Sequence, residues 1–457
     1  MKRFWLVLLS LGLIVAFSAS AMAVDVKFSG EYYAAGMYLD KTSLKTGTAD
    51  EGTSTAFYFQ RLRLNTQFIV SPGLSLIARA DVMERGWGAN RTVPGVAQDV
   101  MSAGTRSENE NIAFDLLYIS YVSPIGMFNV GYQIDDVWGT VFGNSSNPKG
   151  KIAYFLTTGG LTLILQAGKD KELSRSVTNP TGDADKDQSF YTAAGVYRWK
   201  TGEAGLLFKY IKNNQYRNAY AIVAPPDAGF TWDGLVTTPY VKAKLGPVSL
   251  EAQIYYLYGK QEYEGNTAAL GNPEDVDLNQ LTAYIDAKVD LGMFYVGGTV
   301  AYVSGDDPGT ADEQEGGVLG GGLDWNPCLI MFNNDLNYWA GSQAGYNGTA
   351  TMSADNAGPM NNTYFGQLRA GVRPIDKLDI MASVSYATAD KTPRDVWDSR
   401  ERGYEIDLTA TYKITNNLSY MLGGGYWIVG DYYKGTAAAG QDVDDNFMVI
   451  NKLTLTF

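Results

Sequence analysis

The sequence predicts an all-β fold, a transmembrane antiparallel β-barrel of about 18 strands within a range of 16 to 20. Three observations carry that expectation. From residue 26 onward the chain reads as period-two segments of ten to sixteen residues, apolar on one side and mixed polar on the other. Very short turns and long polar loops join these segments in strict alternation. The last stretch, NFMVINKLTLTF, puts Phe447, Val449, Leu453, Leu455 and Phe457 at every second position and stops on a bare aromatic. A terminal strand in water frays, so an apolar end of this kind needs an apolar place to go.

The first element is an export signal. MKRFWLVLLSLGLIVAFSASAMA sets Lys2 and Arg3 before an apolar run from Phe4 to Phe17 and the small-residue triplet Ala21-Met22-Ala23, which is the order of a secretory signal peptide. That run falls short of the roughly 20 apolar residues of a helical span. Residues 1–23 are therefore expected to be cleaved, leaving 24–457 as one barrel domain. No later stretch offers 18 consecutive apolar residues, so a membrane-spanning form of this chain must cross with strands.

The strands follow in order, separated by two kinds of join. Short ones fall at SPG 71–73, SPIG 123–126, GG 159–160, KTGE 200–203, GP 246–247, DLG 290–292, RPID 373–376 and TNN 415–417, all tight-turn chemistries. Long ones fall at about 41–53, 85–108, 137–148, 173–186, 215–232, 262–275, 305–360, 391–400 and 431–444. Within strands, Leu62, Leu64, Thr66 and Phe68 oppose Arg61, Arg63, Asn65 and Gln67. Ile406, Leu408, Ala410 and Tyr412 oppose Glu405, Asp407, Thr409 and Thr411 in the same way. A β-sandwich also alternates, but its strands run to about five or six residues. A tilted membrane strand needs roughly 9 to 11, and strand length decides for the barrel. Counting gives thirteen strands up to residue 304 and five after 360, eighteen in all; a further hairpin from GGVLGGGLDW and LIMFNNDLNYW would make twenty, against which stand Gly316, Gly317, Gly320, Gly321 and Gly322. Tyr197, Trp199, Phe208, Tyr256, Tyr258, Tyr426 and Trp427 lie toward strand ends, where barrels carry aromatic girdles.

Taken together, the signal, the long alternating strands, the two unequal rims and the terminal phenylalanine resemble a Gram-negative outer-membrane porin. The resemblance covers the whole mature chain as a pattern. It implies that the C-terminal strand is read by the barrel-assembly machinery and closes against VKFSGEYYAAGMYL, with Phe457 as the assembly signal. It also implies short periplasmic turns, long extracellular loops, contact with outer-membrane lipid and lipopolysaccharide, and an inward loop that narrows the pore. Trimers are common in that family, which makes a homotrimer an expectation. The function implied is passive diffusion of small hydrophilic solutes and ions. The rivals are a substrate-specific channel for sugars, acidic saccharides or aromatic acids, favoured by inward Tyr255, Tyr284 and Tyr295, and a plugged surface or adhesin barrel.

Charges on the polar face would govern such a pore. Extending the hairpin around SPG sets Arg63 opposite Asp81 and Asn65 opposite Arg79, so that Arg61, Arg63 and Arg79 make a basic wall partly compensated by Asp81. The hairpin at Gly246-Pro247 sets Lys242 opposite Glu251. A plainer role for each is a cross-strand ion pair worth roughly 0.2 to 1 kcal/mol. For the inward loop there are two candidates, 85–108 with Arg91 and Asp99, and 305–360 with Asp324 and Trp325 in GLDWNPCLIMF, whose apolar run suits a tucked position.

Other chemistries are poorly served. The chain has 31 tyrosines, 51 glycines and no histidine, so imidazole catalysis and His-ligated zinc are excluded. One cysteine, Cys328, rules out an internal disulfide. A net charge of −13 argues against nucleic acid as a partner. DADKDQ at 183–188 begins like a calcium loop but lacks the sixth-position glycine and has Ala194 in place of the bidentate glutamate. No cofactor, metal or enzymatic activity is expected.

Overall fold

In the computed structural model, residues 24–47, 52–88, 112–173, 186–217, 229–263, 275–317, 322–349, 352–356, 359–392, 397–436 and 441–457 are described. Eighteen antiparallel strands close into one barrel. They are β1 Asp25–Leu39, β2 Thr55–Ser71, β3 Leu74–Gly86, β4 Ile112–Ser123, β5 Gly126–Asp135 and β6 Asn147–Thr158. Then come β7 Leu161–Lys171, β8 Gln188–Trp199, β9 Gly202–Asn213, β10 Phe230–Leu245, β11 Val248–Tyr263 and β12 Asp275–Leu291. The last six are β13 Phe294–Val303, β14 Thr363–Ile375, β15 Leu378–Ala389, β16 Glu401–Lys413, β17 Leu418–Val429 and β18 Asn446–Thr456. Thirteen strands precede residue 304 and five follow 360, as the alternation of joins predicts.

Each strand pairs with its sequence neighbours, and β1 pairs with both β2 and β18. The seam is tied at its end by reciprocal backbone bonds, Gly30 N–H to Phe457 O at 2.9 Å and Phe457 N–H to Gly30 O at 3.0 Å. No edge is left open among these strands, which removes the usual hazard of a long sheet. Tight turns reverse the chain on one rim because glycine supplies a left-handed backbone there, with φ 80° at Gly73 and 63° at Gly246.

Side chains sort between the faces by parity. On β16, Tyr404, Ile406 and Leu408 are exposed on the outside while Glu405 and Asp407 are buried inside. Phe114 and Leu368, 73% and 75% exposed, belong to the same outer apolar band. A bare apolar exterior of this extent is stable only against hydrocarbon. Tyr191 stacks on Tyr210, Tyr302 on Tyr364 and Tyr58 on Trp87 around the outside. Trp427 departs from the girdle expected of it: its odd parity turns it inward, where it is fully buried against Tyr433.

The segment 305–360 adds no barrel strand. Glu313–Gln314 lies parallel beside β12 at Asp277 and Leu278, and Gln343–Thr349 pairs with Met352–Asn356 in a separate small hairpin. Between them sits one helix, α1, Asn334–Ala340, capped by Asn333, whose side chain accepts from Leu336 N–H at 2.8 Å.

Candidate functional site, a narrowed lumen

The long-loop end of the barrel is filled from within. Trp325, Cys328, Ile330, Met331, Phe332, Leu336 and Trp339 are buried together with the inward faces of β1 (Tyr33, Ala35, Met37), β2 (Phe59), β12 (Tyr284), β14 (Phe365) and β18 (Met448). Asp324 and Trp325 therefore sit in a tucked segment, with Trp325 edge-on to Phe365 at 5.5 Å. The wall holds the segment by its backbone: Glu405 accepts from Ile330 and Met331 N–H at 2.7 and 2.6 Å, and Gln367 donates to Pro327 O at 2.7 Å. Trp339 of α1 stacks on Phe59 at 4.4 Å. Asp335 and Tyr338 on the other side of α1 stay exposed, and the Tyr338 hydroxyl lies within electrostatic reach of Glu84, Arg61 and Asp81.

A second inward loop, residues 136–146 between β5 and β6, was not among the sequence candidates. It crosses to the opposite wall, where Trp138 Nε1 donates to Thr238 O at 2.9 Å and Gln253 Oε1 receives the Thr140 N–H and hydroxyl at 2.6 and 2.7 Å. Gly143 permits the crossing, since a Cβ there would stand 1.9 Å from the Tyr255 hydroxyl. Phe142 is fully buried and stacks on Tyr284 at 4.7 Å. The two loops then dock on each other: Trp325 meets Phe142 edge-on at 4.9 Å, Asp324 N–H donates to Asn144 O at 2.9 Å, and the Ser146 hydroxyl donates to Asp324 Oδ2 at 2.6 Å. Beside them lies a cavity of about 600 Å³ lined by Trp138, Lys151, Lys209, Tyr255, Gln261 and Gln280 among others.

On the wall from β2 to β4, Arg63 opposes Asp81 and Asn65 opposes Arg79 in register. Arg63 forks onto Asp81, Nε–Oδ1 at 2.7 Å and Nη2–Oδ2 at 2.6 Å. Arg61 reaches Glu84 at 3.3 Å, and Arg79 Nε reaches Asp115 at 2.9 Å. The wall is thus not basic: three arginines face three carboxylates. Two bulges make the match. One, at Met83 with φ 52°, turns Glu84 inward, and the other leaves Asp115 unpaired between Phe114 and Leu116 so that it too faces Arg79. Lys242 and Glu251 oppose each other in register, yet Lys242 Nζ lies over the Tyr240 ring at 6.0 Å and forms no ion pair with Glu251 among the described residues.

Two further charge groups were not foreseen. Asp135 binds Lys151 and Lys209 at 2.7 Å each, and Asp136 binds Lys149 at 2.8 Å and Lys209 at 2.9 Å, at the root of the 136–146 loop. Arg369 pairs with Asp286 at 2.7 Å, and Arg373 with Asp379 and Asp290 at 3.0 and 3.1 Å. The acid-rich outer loops are likewise tied to lysines, Asp307 to Lys391 at 2.6 Å and Asp444 to Lys41 at 2.7 Å. Arg91, Asp99, the segment 1–23 and the start of DADKDQ lie outside the described residues. Of the three tyrosines expected to line a solute track, Tyr255 borders the cavity, Tyr284 is covered by Phe142, and Tyr295 is engaged by Asp379 and Arg373.

The chain thus forms a closed barrel of eighteen strands, apolar outside and charged within, with loops folded into its bore. No family model and no curated protein sequence matches the chain. Solved structures do. Pseudomonas aeruginosa OccK9 (OpdG) superposes with a TM-score of 0.53 at 14% identity, over 95% of this chain and 99% of that one. Pseudomonas aeruginosa OccK5 (OpdH) gives 0.50 at 14% identity, over 95% and 98%. The fold is that of an outer-membrane porin. At 14% identity the likeness speaks to fold alone.

Proposed function

We propose that the chain is exported with residues 1–23 removed and that residues 24–457 stand in the bacterial outer membrane as a porin, through which small hydrophilic solutes and ions diffuse passively. One observation carries this reading: a charged inner wall with paired arginines and carboxylates is set inside an apolar exterior. Exposed Asp335 and Tyr338 on α1, and the cavity of about 600 Å³ beside the 136–146 loop, leave space inside the wall that the apolar segment does not occupy. In such a bore, water and wall dipoles replace bulk solvation, loop position limits size, and wall charge weights the ions. Because Arg61, Arg63 and Arg79 each have an acid partner, weak ion selectivity is expected. Pore lining by these six residues and by Lys242 and Glu251, constriction by Asp324 and Trp325, and an assembly role for Phe457 are part of the proposal.

The apolar plug at the long-loop end also suits a barrel that conducts nothing. Planar-bilayer recording on purified, folded protein, with ion substitution, separates the two. Stepwise conductance supports the pore, and a silent bilayer at high protein load would refute it. Block that saturates with one solute class would move the reading to a substrate-specific channel.

A further inference from the structure

The tucked segment meets the barrel wall at a place where two carboxyl groups are buried side by side with no basic side chain beside them among the described residues. Glu405 is fully buried and Asp407 is 3% exposed, both on the inward face of β16. Cys328 Sγ and one carboxylate oxygen from each acid all lie within 4.8 Å of one another. Glu405 takes two backbone N–H groups, and the Ser383 hydroxyl donates to Asp407 Oδ2 at 3.4 Å. Asp407 Oδ1, equally buried, accepts nothing. No lysine or arginine among the described residues reaches either carboxylate. Both acids pack against Gly425, where a Cβ would stand 2.7 Å from Asp407 Oδ1 and 3.2 Å from Glu405 Oε1, so a larger residue there would displace them.

Two carboxylates in a dry site cost several kcal/mol unless positive charge meets them. We propose that Cys328, Glu405 and Asp407 bind one divalent ion of the zinc class, which straps the inward segment to β16. Calcium or magnesium would want about six or more oxygens and no sulfur. Zinc takes four ligands from sulfur, nitrogen and oxygen at about 2.0 to 2.3 Å, which places neighbouring ligands roughly 3.3 to 3.5 Å apart. The three atoms need close only modestly from their present span. Ser385, whose hydroxyl already receives Cys328 Sγ at 3.3 Å, or a water completes the fourth position. Binding releases to solvent the thiol proton and the proton that the two neighbouring acids share in the ion's absence, so uptake falls with acidity.

The site is too buried for ready entry, so the test refolds the chelator-stripped mature chain into detergent with Co²⁺ or Zn²⁺ alone in solution. Heat-modifiable migration confirms the barrel. The expected result is one Co²⁺ retained per folded chain after desalting, with a thiolate-to-cobalt charge-transfer band that Cys328→Ser abolishes. Asp407→Asn, which keeps the side-chain shape, is expected to lose the ion to a chromophoric chelator and serves if the cysteine variant does not fold. A folded wild-type barrel that carries no metal would overturn the proposal, as would cobalt retained with the same spectrum in both variants.

Discussion

Replacing Arg61, Arg63 and Arg79 together with alanine turns a balanced wall into one with three unpaired acids, Asp81, Glu84 and Asp115. The size of the effect follows from Coulomb's law. An ion about 7 Å from a unit charge in water feels about 0.6 kcal/mol, and screening at 0.1 M salt roughly halves it. Three such charges give about 0.9 kcal/mol, or about a fourfold gain in cation occupancy with a matching loss of anion. The permeability ratio of potassium to chloride should rise roughly tenfold or more. Reversal potentials in a tenfold KCl gradient read this directly. The mirror triple Asp81→Asn, Glu84→Gln and Asp115→Asn should move the potential by a similar amount in the opposite direction. If both triples leave it unchanged in folded barrels, ions do not pass this wall and the pore-lining assignment is wrong.

Three other outcomes are expected. Phe142→Ala removes a fully buried ring from the contact between the inward loops, at about 3 to 5 kcal/mol; single-channel traces should grow noisier and larger in step, with barrel migration unchanged, and an identical trace would contradict the docking role. Burial, reinforced by Glu405 and Asp407, pushes the Cys328 thiol well above its ordinary range, so a maleimide at pH 8 should label it only after thermal unfolding; rapid labelling of the native barrel would mean that the segment is not tucked. Deleting Phe457 removes both backbone bonds to Gly30 at the seam, so heat-modifiable barrel in the outer membrane should fall while export across the inner membrane continues; normal barrel yield would count against an assembly role.

Strand number and hairpin register were legible because period two and turn chemistry are local. Counting back from Pro72-Gly73 with Val70 set against Leu74 puts Arg63 opposite Asp81, and the structure keeps that pair although the turn itself closes on Ser71 and Leu74 with one residue bulged at Val70. The partners of Arg61 and Arg79 were not legible, because each depends on a bulge that shifts parity by one residue. Nothing in the local sequence at Met83 or Asp115 announces the extra residue. The lysine group was hidden for another reason: Asp135, Lys151 and Lys209 come from β5, β6 and β9, strands that no single turn connects. The 136–146 loop did carry a signal. Trp138, Val141 and Phe142 between glycines are as odd for a wet loop as Trp325 is, and the same reasoning applied there would have found it.

The seam between Gly30 and Phe457 has a consequence for biogenesis. On the proposed outer-membrane route, β1 gains its second neighbour only when β18 arrives. Until then the β1 edge that β18 covers, Glu31 to Leu39, presents an unmatched ladder of amides and carbonyls that would readily zip onto a sister molecule. Delivery by the proposed route would call for an escort that masks this strand until the seam closes.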